Sequence, residues 1–361
     1  MKWCKNCLNT STRPRIQFDE NGICNACNWA DEKKKLNWNL RKKILKDIVK
    51  KIKKEKNQFD IVIPVSGGKD GSYVAYNLKK KYNLNPLCVT VHPPLRTELG
   101  YLNLENFKKN NIDLIEVNLP YETHMKINKH GFINHGRPLH GWVIGIFSAV
   151  IKVASKFNIK YIFYGEDGEA EYGGKSNLKN QPFFDLNFVK NIYLSKEYYK
   201  SLKLIQKKDL PWWTLDDVDK NIKLTHWSFF ENWDPYRNFI YAKKHFNYQQ
   251  KSKKNIGTYT NFSQNDTFLY DLHCYLMYLK FGFGRGTQDI GIDIRRGSLT
   301  RKQGIELANL YDSETTLEHI DKYCTYFKMT RKSFNNVVDK FANKKLFKKV
   351  KGVWLPKFTI I

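Results

Sequence analysis

The run Phe59-Asp60-Ile61-Val62-Ile63-Pro64-Val65 has the composition of a buried strand. It passes directly into Ser66-Gly67-Gly68-Lys69-Asp70-Gly71-Ser72 and then into a helix through about Lys81. Strand, glycine-rich turn and helix in this order constrain the fold more than any other feature, because the amides of the first helical turn are aimed at whatever anion the turn encloses. Gly67, Gly68 and Gly71 let the backbone approach that anion, and the Ser66 and Ser72 hydroxyls and the Lys69 ammonium add donors. The spacing is not Gly-x-x-x-x-Gly-Lys-Ser/Thr, which disfavours a kinase- or GTPase-type loop.

Alternation continues downstream. Pro86 to His92 reads as a second strand, Thr97 to Asn110 as a helix and Leu114 to Asn118 as a third strand; Trp142 to Phe157 is a long apolar helix and Lys160 to Tyr164 a further strand. This βα rhythm implies an α/β fold with a parallel, doubly wound sheet whose ligand lies outside the carboxyl ends of the strands. The site is therefore expected to gather Ser66 to Ser72, His92 at the end of the second strand and Gly165 at the end of the later one.

Residues 1–30 form a separate unit. Cys4 and Cys7 make one Cys-x-x-Cys pair and Cys24 and Cys27 another, 16 residues further on and joined to the first through a hairpin turn at Phe18 to Gly22. Two such knuckles close a tetrahedral shell, so a structural zinc ribbon is expected, with Zn2+ on the four thiolates; an iron–sulfur cluster is the alternative. Cys88, Cys274 and Cys324 are isolated, so the cysteines do not form a disulfide framework and a reducing compartment follows. From Asp31 to Lys56, Leu36, Leu40, Ile44, Ile48 and Ile52 recur every fourth position, which predicts one basic amphipathic linker helix over 31–56. Residues 57–200 then hold the phosphate-cradle domain, and 201–361 a mainly helical C-terminal region that supplies the substrate pocket.

The formal net charge of +27 suggests an anionic partner. Yet lysines outnumber arginines 51 to 11, whereas nucleic-acid grooves lean on the planar guanidinium fork. Nucleic acid is disfavoured as a partner. No stretch approaches the roughly 18 consecutive apolar residues of a membrane span, and the N-terminus has no signal-like run, so a cytoplasmic protein without membrane contact is expected.

Ser-Gly-Gly-x-Asp-x-Ser after a buried strand resembles the PP-loop of the ATP-pyrophosphatases (adenine nucleotide alpha hydrolase-like). These include asparagine, GMP and NAD synthetases and tRNA-thiolating enzymes. The resemblance implies that Ser66, Gly67, Gly68, Lys69, Asp70, Gly71 and Ser72, flanked by His92 and Gly165, bind the β,γ-pyrophosphate of ATP with Mg2+. The α-phosphate is then open to a substrate oxygen, giving an adenylated intermediate.

More of the chain is similar to the bacterial N-acetyl sugar amidotransferases, which turn an acetamido group of a surface sugar into acetamidino. The segments are Cys4 to Cys7 with Thr12-Arg13-Pro14, Gly22 to Cys27, the PP-loop, Tyr164 to Gly174, Gly284-Arg285-Gly286-Thr287, and Asp293 to Gly297 with Thr300-Arg301. They span positions 4 to about 312. The implied substrate is a nonulosonic acid, of pseudaminic or legionaminic type, or a nucleotide-linked N-acetyl sugar for flagellin, lipopolysaccharide or capsule.

Candidate catalytic groups are Lys69 and Asp70 with Glu166, Glu169 and Glu171 of an acidic loop that also holds Asp167. Just past a strand end, these carboxylates suit magnesium, ammonia orientation or proton acceptance. Arg285, Arg295, Arg296 and Arg301 are the candidate clamp for a substrate carboxylate or phosphate. Arg137, between His135 and His140, is a further substrate-binding candidate. No cysteine has the setting of a glutaminase nucleophile, so ammonia is expected from a separate glutaminase subunit. The competing reading is a tRNA-thiolating PP-loop enzyme, which normally needs a reactive cysteine near the ATP.

Overall fold

In a computed structural model describing residues 1–175, 177–194 and 200–361, five parallel strands form one sheet in the order β3-β2-β1-β4-β5. They are β1 Ile61–Pro64, β2 Pro86–Val91, β3 Asp113–Val117, β4 Tyr161–Tyr164 and β5 Lys223–His226. Every residue of β2, and Ile61 to Ile63 of β1, is buried, as expected for strands covered on both faces. The chain builds outward from β1 to β3, then crosses back to place β4 on the other side of β1. The order thus reverses between β1 and β4, and the PP-loop and Gly165 follow those two strands, so they share the crevice at the switch point.

One face of the sheet is covered by α2 (Trp38–Lys54), α3 (Lys69–Lys80), α4 (Glu98–Lys109) and α8 (Pro235–Phe246), through Leu45, Leu78, Phe107 and Phe246. The other is covered by α6 (His140–Lys156), which packs Ile144, Val150 and Ile151 against β2 and β4, with α5 (Tyr121–His135) beside it. A short helix, α7 (Gly168–Tyr172), follows β4. Beyond α8 come α9 (Leu269–Phe281), α10 (Arg285–Arg295), α11 (Arg301–Tyr311), α12 (Ile320–Phe327), α13 (Arg331–Phe341) and an antiparallel hairpin of β6 (Phe347–Val350) and β7 (Val353–Pro356). Among the described residues no helix is long and apolar enough to cross a membrane.

The expected single linker helix is two helices. α1 (Asn25–Lys35) ends at Leu36, and Asn37 starts α2 by accepting from the Leu40 amide. Leu40 is 54% exposed, and the buried stripe is Arg41, Leu45, Ile48, Val49 and Ile52. The reason is geometric: a strict period of four drifts around a 3.6-residue helix, while mixed three- and four-residue steps stay on one face. The sheet also runs past residue 200, because β5 pairs along β4.

Candidate active site

The PP-loop is held by close backbone packing. Gly67 has φ +82, and a Cβ there would lie 2.9 Å from the Leu104 nitrogen of α4. Gly68 starts α3 with no side-chain cap, which leaves the first amides of the helix for an anion. Lys69 and Asp70 form an ion pair, and the Asn238 amide donates to the other Asp70 oxygen at 3.0 Å. Ser72 is buried, and its hydroxyl donates to the Gly68 carbonyl at 3.0 Å, so it stitches the turn from behind.

In front of the loop lies a cavity of about 330 Å³ whose wall includes Ser66 to Gly71, Gly165, Glu166, Arg285 and Arg296. His92 is outside it. That ring is bracketed by Glu116 at 2.9 Å from Nε2 and the Arg96 guanidinium at 2.6 Å from Nδ1, so Nδ1 accepts and Nε2 carries the proton. Burial and the Arg96 charge lower its pKa.

Three of the four carboxylates in the acidic loop have structural partners. Asp167 caps α7 by accepting from the Glu169 and Ala170 amides at 3.1 and 3.4 Å. Arg15 holds Glu169 at 2.8 Å through Nε. Lys33 holds Glu171 at 2.7 Å, helped by the Trp29 indole at 3.1 Å. Glu166 faces the cavity, where burial first and the Asp70 charge second push its pKa up to about 7. A carboxylate in that range can take a proton at neutral pH.

The arginines are dispersed. Arg285 is buried in the cavity wall with Asp271 at 3.5 Å and its cation 5.3 Å from the Tyr270 ring. Arg296 lines the cavity and is shared between Asp234 at 2.8 Å and Asp293 at 3.0 Å. Arg295 is outside the cavity wall and donates to the Glu171 carbonyl of the acidic loop at 3.0 Å. Arg301 does not reach the cavity: its guanidinium donates to the Cys4 carbonyl at 3.3 and 3.1 Å. Arg137 is exposed, and it too is outside the cavity wall. His140 is buried with Nε2 2.8 Å from the Ser201 hydroxyl, and the His135 ring lies 5.6 Å from that of His130.

Several residues in or behind the wall had no sequence signal of a site. Asp234-Pro235 marks a helix start, but nothing in it says that Asn238 one turn later reaches Asp70. Asp289 accepts from the Thr258 and Thr260 hydroxyls at 2.7 and 2.9 Å. Tyr236, Tyr248 and Phe262 give the cavity an aromatic side next to Trp233, the last residue of an aromatic run whose composition did suggest a sugar pocket.

The four early cysteines do come together, with all four sulfurs within 4.8 Å of one another. The Cys4–Cys27 and Cys7–Cys24 sulfurs are 3.9 and 3.6 Å apart, close to the ~3.8 Å edge of a tetrahedron with zinc–sulfur bonds of about 2.3 Å. A cubane cluster binds each thiolate to a separate iron and spreads them further. The Asn9 amide donates to Cys7 Sγ, the Asn9 side chain to Cys24 Sγ and the Cys24 amide to Cys4 Sγ, at 3.4, 3.4 and 3.3 Å. Such outer donors are typical of metal-held thiolates.

Residues 256–358 match the C-terminal domain of WbpG-like LPS biosynthesis proteins. An uncharacterized protein of Methanocaldococcus jannaschii is 27% identical over 212 residues, 58% of this chain and 73% of that protein. Among solved structures, NMN synthetase from Francisella tularensis is similar over 77% of this chain and 93% of its own, with 11% identity and a TM-score of 0.39. A tRNA thiolase from Methanococcus maripaludis is similar over 82% and 87%, with 15% identity and a TM-score of 0.33. NH3-dependent NAD synthetase from Campylobacter jejuni gives 15% identity and a TM-score of 0.30 over 37% of this chain, which spans 58% of that one. The chain thus carries a Ser-Gly-Gly-x-Asp-x-Ser loop at the switch point of a parallel sheet, and its residues 256–358 are similar to the C-terminal domain of WbpG-like LPS biosynthesis proteins.

Proposed function

We propose that the chain is an ATP-using, carbon–nitrogen bond-forming enzyme of lipopolysaccharide or related glycan assembly, which converts the acetamido group of a sugar to acetamidino. The observation that carries this reading is the shared cavity: the phosphate loop forms one wall, and Arg285, Asp289 and Arg296 of the WbpG-like region form another. ATP would lie with its β,γ-phosphates on the α3 amides and Lys69, and the sugar against the aromatic side. The acetamido oxygen attacks the α-phosphorus and pyrophosphate leaves. Ammonia then adds to the imidate carbon, AMP departs with the former amide oxygen, and Glu166 takes the proton that nitrogen loses.

Asp70 shares the cavity with Glu166, and its charge helps raise the Glu166 pKa, a setting that suits a divalent cation. Asp70 would hold Mg2+, which when bound neutralises charge on the phosphates, and Glu166 is left free to act as the base. Zn2+ belongs to the ribbon, where a closed four-thiolate shell leaves no position for substrate. Cys88, Cys274 and Cys324 are buried, and burial raises the pKa of each. None has the activated thiolate of a glutaminase, so a separate glutaminase subunit is the proposed ammonia source. The same cysteines weigh against tRNA thiolation, since no cysteine is among the residues lining the cavity. The test is pyrophosphate release from ATP with ammonium chloride and a panel of free and nucleotide-linked N-acetyl sugars, with tRNA as the competing substrate. Release with tRNA alone would overturn the reading.

A further inference from the structure

The cysteine ribbon and the acidic loop are tied together at five points. Lys33 and Glu171 pair at 2.7 Å with side chains only 9% and 14% exposed, and Trp29 donates to the same carboxylate. Arg15 grips Glu169. The Asn25 side chain donates to the Gly174 carbonyl at 2.8 Å. The Asn9 side chain reaches the Tyr172 carbonyl and the Cys24 sulfur, each at 3.4 Å. These residues surround the cysteines in sequence: Asn25 follows Cys24, and Trp29 is two positions past Cys27.

Neither partner can hold this arrangement alone. α7 has five residues, too few to be a stable helix in water. Gly173 ends it at φ +94, where a Cβ would meet the Asn25 and Asn9 side chains at 3.2 Å. The ribbon's own core is little more than the four cysteines and Ala26, with Ile16, Phe18, Ile23 and Ile294 at its edge. A unit of that size needs its metal to fold. The PP-loop, in contrast, is held by β1, α4 and Asn238, none of which belongs to the ribbon.

We propose that Arg15, Trp29 and Lys33 are positioning residues for the loop that carries Glu166, and that metal loading of the ribbon governs chemistry while leaving ATP binding intact. The ribbon is then a support behind the active-site loop whose integrity depends on four oxidisable thiolates. The proposal rests on the function given above only for its turnover arm.

The test uses the full chain, zinc-loaded or chelator-treated, together with an Arg15→Ala/Asn25→Ala double variant that keeps all four cysteines. Metal removal should speed amide hydrogen exchange at residues 168–174 by about tenfold or more, while β1 and β2 stay protected and the Kd for ATP, by calorimetry, holds within about twofold. The double variant should keep its metal and show the same faster exchange. Its sugar-dependent pyrophosphate release should fall in kcat with no rise in the KM for ATP. Lys33→Met should behave likewise, and Lys33→Arg should recover most of the loss. Unchanged exchange at 168–174 after metal removal would overturn the proposal. So would loss of ATP binding or of strand protection along with the loop. If no sugar elicits pyrophosphate release, the functional reading fails while the exchange measurements still decide this one.

Discussion

Asn238, wholly buried on α8, donates its side-chain amide to Asp70 Oδ1 at 3.0 Å. That bond ties the phosphate loop to a helix 168 positions downstream. Asp70 meets Lys69 with its other oxygen, so the carboxylate is fixed from two sides. Asn238→Ala should cost about 1–2 kcal/mol of stability and lower turnover with little change in fold. Asn238→Asp should be worse, because it sets a buried carboxylate against Asp70. Denaturant titration and ATP calorimetry on both variants check this; equal behaviour of the two would contradict it.

The two adjacent glycines of the loop should separate folding from binding. Gly67→Ala combines φ +82 with a 2.9 Å approach to the Leu104 nitrogen, and should cost about 1–3 kcal/mol of stability. At Gly68, φ is −74 and the nearest neighbour of a Cβ is Ser66 Oγ at 3.4 Å. Gly68→Ala should therefore leave stability within about 0.5 kcal/mol. It should weaken ATP binding about tenfold or more, because the methyl group enters the phosphate cradle.

Glu166 sets a pH dependence. Its pKa rises from 4.5 to about 7 in the fold, through burial and then Asp70, so the folded state binds the proton more tightly than the unfolded chain. The favourable contribution is full below about pH 4.5 and lost as pH rises through about 7. Glu166→Gln should accordingly be more stable than the parent above pH 7, by at most on the order of 3 kcal/mol. The gain should vanish near pH 4.5. Thermal melts from pH 4.5 to 8 in the absence of ATP and Mg2+ check the sign; a constant difference across that range would contradict it.

The ribbon should hold zinc stoichiometrically after anaerobic purification, and stoichiometric iron without zinc would contradict this. Arg301→Ala removes two donors from the Cys4 carbonyl. It should speed zinc loss to a chelator while leaving the KM for the sugar unchanged, the reverse of what a substrate clamp would give.

The sheet was legible because buried parallel strands are short apolar runs, and four of them end at glycine- or turn-rich segments. β5 was not, since three of the four residues in Lys223-Leu224-Thr225-His226 are polar, and the burial of Thr225 and His226 is decided by pairing with β4. The strand–turn–helix around Ser66 to Ser72 and the gathering of the four early cysteines were legible because local spacing largely builds them. The arginine clamp was not, because a guanidinium is assigned by its partner. Arg295 and Arg301 serve the ribbon side, Arg285 and Arg296 the cavity, and only the packing of α10 and α11 separates them. The same holds for the acidic loop, where Arg15 and Lys33, more than 130 residues upstream, decide that Glu166 is the carboxylate left facing the cavity.

The most direct test of the central claim is the fate of ATP in a reaction containing the purified chain, Mg2+, ammonium chloride and an N-acetyl sugar that elicits turnover. AMP and pyrophosphate should form in amounts equal to an acetamidino sugar, with glutamine unable to replace ammonium unless a glutaminase is added. Stoichiometric ADP and phosphate, or AMP formed with no new carbon–nitrogen bond on the sugar, would contradict it.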